Sequence, residues 1–506
     1  MLADKIKSFA SDTLTYGLFN TLGRLLTFLL TPLYSNYLTP AENGMLAYMF
    51  SLLVFAQFFY VFGMEASFFR FFNNNENNNN LQSAVDNETQ NNYNKKVFSA
   101  SYFVIFFIGG ICTILLIIFS APLSNIFIGA DVPNAIYIFQ IVVFIPFFDE
   151  MATISLGKLR LQKQVKKFAT IKLLIIVLSV ILCAFFLMET NLGVLGIFLG
   201  QLIAGFVCFI YFLPTIIKNL DLNIDFKLFK EMFIFGLPTL PSNLSLIALQ
   251  VADRPIMKLF LNNSDIGIYQ INAKLSVPML MFVTIFDYAW KPFYISHFKD
   301  EDAKPLFSRI LTYYVFAASI IFLIITFFMN YIVRIPLWNG KTFIHSDYWG
   351  GLSVIGIIAL GYLINGITTN FAAVFHIAKK TKYLPVAVGT SAIISIVLNF
   401  VLLPIIGIVG AALSLLIGYT SGMIIMKVLQ SRVSYKINYE WKRIFTIAIS
   451  CLFIFLVGNY LSLQFDLTIA FIIKIVLMAL YILLLKLFGF FTKGELAQIK
   501  KLFRRK

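Results

Sequence analysis

Fourteen apolar stretches, each long enough to cross a bilayer, fill most of this 506-residue chain, and several charged residues lie inside them instead of between them. A spanning helix needs about 20 apolar residues at about 1.5 Å per residue. The stretches run over about 13–38, 43–72, 97–119, 133–157, 168–188, 192–217, 228–260, 265–296, 306–333, 348–376, 383–403, 406–430, 441–461 and 467–488. Arg24, Asp253, Arg254, Lys258, Lys274 and Asp287 fall within them. A charge at the centre of a membrane helix costs about 2.5–3.5 kcal/mol on insertion scales, so such residues face a wet cavity or a partner. The pattern predicts an all-α membrane protein with a polar, cationic interior.

Composition supports this reading. The chain is 59% hydrophobic and 13% charged, where soluble domains run near one quarter charged. The segment before the first stretch is short and polar, and the first stretch exceeds a signal h-region, so a cleavable leader is not expected. The net charge of +16 suggests nucleic acid only until its placement is examined. Lys and Arg cluster in alternate loops: Lys5 and Lys7, Lys95 and Lys96, Lys158 to Lys167, Lys218 to Lys230, Lys299 and Lys304, Lys379 to Lys382, Arg432 to Arg443, and the tail from Lys493. The other loops hold only Arg334 and Lys341. This asymmetry places both termini in the cytoplasm and requires an even number of crossings. Cys112, Cys183, Cys208 and Cys451 lie in apolar segments without metal-ligand spacing, and His297, His345 and His376 are isolated. No metal, cofactor or disulfide framework is expected. The asparagine-rich insert from Asn73 to Lys96 reads as a cytoplasmic loop.

The halves of the chain repeat. Gly193-Val194-Leu195-Gly196-Ile197 opens stretch six and Gly407-Ile408-Val409-Gly410-Ala411 opens stretch twelve. Lys166-Lys167 parallels Lys379-Lys380. Leu38-Thr39-Pro40-Ala41-Glu42-Asn43-Gly44 parallels Leu261-Asn262-Asn263-Ser264-Asp265-Ile266-Gly267. Six spans per copy make the repeats parallel, and transporters built this way hold substrate between their lobes. The expected organisation is therefore two six-helix lobes, 1–217 and 218–436, around a central cavity. Residues 437–506 add helices thirteen and fourteen and a basic cytoplasmic tail.

The segment from Leu22-Gly23-Arg24 through Gly44 resembles the first hairpin of Wzx-type polysaccharide flippases, members of the multidrug/oligosaccharidyl-lipid/polysaccharide exporter superfamily. Ala252-Asp253-Arg254, Gly267-Ile268-Tyr269 and Ala273-Lys274-Leu275, with Ala289 and Pro292 beyond, resemble their seventh and eighth helices. The resemblance covers essentially the whole chain. It implies a flippase of the cytoplasmic (inner) membrane serving polysaccharide or lipopolysaccharide biosynthesis. The substrate it implies is a polyprenyl-diphosphate-linked oligosaccharide, moved outward by alternating access. Expected partners are that lipid-linked sugar, membrane lipid, H⁺ or Na⁺ as coupling ion, and polysaccharide polymerases.

The residues themselves point the same way. A diphosphate crossing about 30 Å of hydrocarbon needs cationic donors, and Arg pairs phosphate in bidentate fashion. Arg24, Arg254, Lys258 and Lys274 are the candidates for the diphosphate and sugar path. The alternative for each is a structural ion pair, or for the lysines an ammonium reaching the interface. Asp253, Glu65, Asp149 and Glu150 are candidates for ion coupling; the plainer role for Glu65 and the Asp149-Glu150 pair is pairing with Arg70 or with the basic loop between spans four and five. Asp287 is expected to pair with Lys291, four residues on. Pro255 removes a backbone bond and marks a hinge or a static kink in span seven, where Pro238 and Pro241 occur earlier. No nucleophile motif or phosphate-cradling glycine loop appears, so no catalytic role or ATPase engine is expected. A polyprenyl-sugar glycosyltransferase or polymerase would need a large outer catalytic surface, and the largest outer loop is Arg334 to Asp347. A drug/cation antiporter would favour carboxylates in its cavity. A lipid II flippase needs similar cations and is the nearest rival.

Overall fold

The computed structural model describes residues 21–72, 87–129, 132–223 and 225–490. The start of the first span, most of the asparagine-rich insert and the basic tail lie outside them. Helix α1 covers residues 21–37. It is followed by α2 (Pro40–Val61), α3 (Met64–Phe71), α4 (Asn87–Ile118), α5 (Ser120–Phe127), α6 (Ala135–Leu161), α7 (Val165–Glu189), α8 (Val194–Asn219) and α9 (Phe226–Gly236). Then come α10 (Leu240–Val251), α11 (Asp253–Phe260), α12 (Asn263–Leu275), α13 (Val277–His297), α14 (Ala303–Ile332) and α15 (Leu352–Ile377). The last four are α16 (Tyr383–Ile406), α17 (Ile408–Leu429), α18 (Trp441–Ser462) and α19 (Leu467–Leu487). Among the described residues the only β pairing is an isolated bridge between Pro336 and Thr342.

Eleven described helices are long and apolar enough to cross a membrane, or twelve if the bent pair α12–α13 is one span. The expected fourteen is therefore not reached by this measure, and two spans account for the difference. The first begins outside the described residues. The seventh is broken into α9, α10 and α11, with a 3₁₀ turn at Leu237–Thr239. These breaks follow proline chemistry. Pro255 has no N–H for the carbonyl of Val251 and its ring crowds that carbonyl, and α10 ends at Val251. Pro278 stands in the same relation to Lys274, and the chain bends by 47° between α12 and α13. Helix α4 starts ten residues before the predicted span, because the polar end of the insert continues the helix; Gln90 Nε2 donates to Asn94 Oδ1 at 3.1 Å, four residues on.

The chain falls into two compact units. The first holds the described residues up to Ile271 together with Val388–Ser414. Its core is aromatic: Phe68 is fully buried, with ring centroids 5.0 Å from Phe72 and 6.2 Å from Phe98. Offset and edge-on aromatic packing of this kind adds about 0.5–1.5 kcal/mol per pair beyond area burial. Helix α3 is tied to α9 by Ser67, whose Oγ donates to the carbonyl of Met232 at 2.6 Å. The second unit holds Asn272–Ala387 and the described residues from Leu415. Here α13 and α14 pack on α15, and α18 and α19 pack on α14. Buried polar pairs fix the register: Ser319 Oγ lies 2.6 Å from Tyr481 Oη, and Tyr314 Oη donates to the carbonyl of Leu363 at 3.0 Å.

Helices α7 and α19 bury the smallest share of their apolar windows, 17% and 22%. Leu174, Ile181, Ile472 and Val476 are among the large apolar side chains they leave exposed. In water such faces would be a liability. In a bilayer they are the surface that lipid covers.

Candidate functional site

Span seven carries the densest group of interior charges, and the break ahead of Asp253 is what assembles it. Because Pro255 ends α10 at Val251, Asp253 opens a new helix, α11, and its carboxylate lies at that helix N-terminus. It accepts the Arg254 backbone N–H at 3.0 Å. The Arg254 guanidinium turns back: Nη1 donates to Asp253 Oδ1 and to the Gln250 carbonyl, each at 2.7 Å, and Nε donates to Gln270 Oε1 at 3.1 Å. Tyr269 Oη donates to the other carboxylate oxygen of Asp253 at 2.7 Å. The guanidinium lies 5.7 Å from the Tyr269 ring centroid. The Arg254 and Asp253 side chains are 15% and 9% exposed, so this ion pair is largely removed from solvent. Charge-assisted bonds of this length are about twice as strong as neutral ones.

Lys258 lies one turn further along α11. Its ammonium donates to Asn263 Oδ1 and sits 6.0 Å from the Tyr48 ring centroid. Arg254 and Lys258 thus occupy one helix with separate partners, each held by α12. Arg24 is half-buried on α1 and is engaged there. Lys274 is half-buried in the last turn of α12, four residues after Gln270, and is also engaged. Of the four predicted cations, the structure joins Arg254 and Lys258 through α11 and α12.

The carboxylates separate into different settings. Glu65 on α3 pairs with Arg160 Nη1 at 3.4 Å, at the end of α6, with both side chains exposed by more than 40%. Exposed pairs of this sort contribute about 0–1 kcal/mol. Glu150 is 9% exposed and accepts from Thr153 Oγ1 at 2.8 Å. Its neighbour Asp149 faces α8 at Gly205, where a Cβ would lie 2.7 Å from Oδ1, and Lys172 of α7 is close enough to act electrostatically on both carboxylates. Asp287 and Lys291 pair at 2.8 Å. Pro255 lies in the first turn of α11, immediately after the break. No group of His, Cys, Asp and Glu among the described residues has metal-binding geometry.

Sequence reading missed four partners, one of them Tyr269, which it named without a role. Gln250 is four residues before Arg254, a spacing that signals contact on a helix. Gln270 and Asn263 carried no such signal, because the turn between α11 and α12 decides which residues of α12 face back. A second missed feature lies in the other unit. Lys427 Nζ stands 5.6, 4.6 and 5.3 Å from the ring centroids of Phe371, Tyr439 and Trp441. A third is Lys474, 4% exposed in α19 and 5.0 Å from the Tyr331 ring centroid. Cation–π contacts reach about 2 kcal/mol when desolvated, which offsets much of the cost of these two ammonium groups.

Comparison with known proteins places this architecture. A family profile described as polysaccharide biosynthesis protein matches residues 9–293, more than half of the chain. No curated protein matches the sequence. Among solved structures, a lipid II flippase MurJ in an inward closed conformation superposes with a TM-score of 0.71 at 18% identity, covering 93% of this chain and 98% of that one. An inward-facing multidrug resistance MATE family transporter of the MOP superfamily superposes with a TM-score of 0.65 at 11% identity, covering 81% and 94%. A MOP superfamily transporter from Pyrococcus furiosus, described as having a binding pocket of reversed polarity, superposes with a TM-score of 0.55 at 13% identity, covering 84% and 94%. At such identities these neighbours establish the fold, and the profile establishes the family. The chain belongs to the polysaccharide biosynthesis protein family and has the all-helical membrane fold of the multidrug/oligosaccharidyl-lipid/polysaccharide exporter superfamily.

Proposed function

We propose that this protein carries a polyprenyl-diphosphate-linked oligosaccharide from the cytoplasmic to the outer leaflet of the inner membrane by alternating access, with both termini in the cytoplasm. The lobes of that motion are 1–217 and 218–436, with 437–506 as an accessory part. The observation that carries the reading is the Arg254–Asp253–Tyr269–Gln270 network in a broken span, with Lys258 one turn away. With Asp253 and Arg254 cancelling, Lys258 leaves the group a net positive charge, which matches an anionic head group and disfavours a drug cation.

In the network Arg254 is already neutralised. A diphosphate takes the guanidinium only if Asp253 gives it up, and a proton or Na⁺ on Asp253 is the direct way to release it. This makes Asp253 the leading coupling residue, ahead of Asp149 and Glu150; the exposed Glu65–Arg160 pair is the weakest candidate. Arg24 and Lys274 extend the cationic path, and bending at Pro255 shifts α11 against α10 during the cycle. Polysaccharide polymerases are the partners that would consume the flipped product.

The test is flipping in proteoliposomes with defined lipid-linked sugars, under imposed pH and Na⁺ gradients, with lipid II as a parallel substrate. Arg254→Ala is expected to abolish flipping while membrane insertion stays normal. Full activity in that variant refutes the cation path, and preferential flipping of lipid II replaces the substrate assignment.

A further inference from the structure

Two glycines at equivalent positions of the sequence repeat meet across the ends of α2 and α12. A Cβ built on Gly44 would lie 1.7 Å from the carbonyl oxygen of Asn263, and one on Gly267 would lie 1.9 Å from the carbonyl oxygen of Pro40. The contact is reciprocal, because Asn263 is the repeat counterpart of Pro40 as Gly267 is of Gly44. Small residues let helix backbones approach this closely in membranes, where Cα–H···O contacts add to packing. Both partners are main chain, so no side-chain rotation can make room for a larger residue.

Each helix is firmly started at the crossing. Thr39 and Glu42 form a reciprocal capping box at the head of α2, and Asn262 Oδ1 accepts the Asp265 N–H at 2.9 Å at the head of α12. At the crossing, Glu42, Met45, Asn134, Asn191, Gly193 and Asn263 are among the residues lining an open cavity of about 480 Å³. Asn263 is also the acceptor for the Lys258 ammonium, which overlies Tyr48, one turn after Gly44. One residue thus supplies its main chain to the crossing and its side chain to the candidate ligand-binding lysine. The loops leading into both helices belong to the set nearly free of Lys and Arg.

We infer that the Gly44–Gly267 crossing is the outer gate of the path and that Asn263 ties it to Lys258. Parting α2 from α12 draws the Tyr48 ring off the Lys258 ammonium, which Asn263 holds in place from the head of α12, and presents that ammonium to an anionic head group. The inference rests on the transport reading and the orientation proposed above.

The test reads gate position without substrate. Ala47, 4% exposed and three residues after Gly44, is replaced by Cys and labelled from outside with a membrane-impermeant maleimide in right-side-out vesicles. The chain's own cysteines give the background. In the otherwise unchanged protein, Ala47→Cys reacts at least about a hundredfold more slowly than Leu463→Cys, as expected where reaction requires local opening. Gly44→Ala or Gly267→Ala, combined with Ala47→Cys, accelerates its labelling by about tenfold, the scale of an overpacked contact. Gly350→Ala, where a Cβ meets nothing within 4 Å, leaves it unchanged. Asn263→Ala keeps the main-chain crossing, removes the tie and accelerates labelling by about fivefold, the scale of one hydrogen bond. Equal rates at Ala47→Cys and Leu463→Cys overturn the gate even if neither glycine variant folds. Unaltered labelling in a folded glycine variant does the same, and unaltered labelling in Asn263→Ala overturns the tie. A protein that gates this way yet flips no lipid-linked sugar refutes the proposed function and leaves the gate standing.

Discussion

Replacing Asp253 by Asn changes one charge and almost no volume, which isolates what the Arg254 network is worth. The amide oxygen can still accept from the Arg254 backbone, the amide NH2 takes the place of the oxygen that Tyr269 donates to and can donate to the Tyr269 hydroxyl instead, and the guanidinium keeps Gln250 and Gln270 as neutral acceptors. What it loses is the compensating charge 2.7 Å away, at 15% and 9% side-chain exposure. Removing one partner of a buried pair costs about 3–5 kcal/mol. Two remaining acceptors place the expected loss at the low end, about 3 kcal/mol. Reversible unfolding in mixed micelles measures it. Removing the orphaned cation as well, in Asp253→Asn/Arg254→Gln, should recover about half of the loss or more, because the uncompensated charge is then gone. A loss below about 1 kcal/mol in the single variant, with no recovery in the double, would show that the pair is not buried from solvent in the membrane-embedded protein. The same single variant separates structure from transport: if Asp253 competes with the ligand for Arg254, Asp253→Asn binds anionic head groups at least as tightly as the parent and loses dependence on the coupling ion.

Lys427→Met keeps the length of the side chain and removes its charge from among Phe371, Tyr439 and Trp441, so it should cost about 1–2 kcal/mol in the same unfolding assay. Glu440→Gln weakens the 3.0 Å pair with Arg443 while leaving an acceptor for Thr312; about 1 kcal/mol is expected, with loss of the salt dependence of that term. Burial pushes the Tyr439 phenol well above its usual range, and the ordinary value is about 10. Because the neutral form is the one the fold favours, its contribution is fully present below pH about 10 and is lost only as pH rises through the higher folded-state value. Tyr439→Phe should therefore flatten the alkaline limb of the stability profile and leave the neutral region nearly unchanged.

Much of the architecture was legible because helix formation is local. Each backbone bond closes four residues back, so apolar run length locates the spans, and a proline marks where a run breaks. Pro255 alone foretells the end of α10 at Val251. The polar start of α4 was misplaced for the opposite reason: outside the membrane a helix needs no apolar run, and Asn87 to Asn94 continues one without that signal. The location of interior charge was also legible, since Arg254 and Lys258 sit in runs where a bilayer tolerates charge poorly.

Partnership was not. Most of these helices are apolar on every side, so no periodicity in the sequence says which face meets which neighbour. For Glu65 the sequence offered Arg70 or the basic loop between spans four and five, and packing chose Arg160 of that loop; Arg254 and Asp253 find Gln270 and Tyr269 only because helix packing brings distant segments together. The repeat revealed that Gly44 and Gly267 are counterparts, but counterparts need not touch. Their reciprocal contact with Asn263 and Pro40 depends on two helix ends crossing at main-chain distance. The chain's local chemistry thus set where helices form, where they break and where charge lies within them, while three-dimensional packing chose the partner of each charge and the place where two helices close on each other.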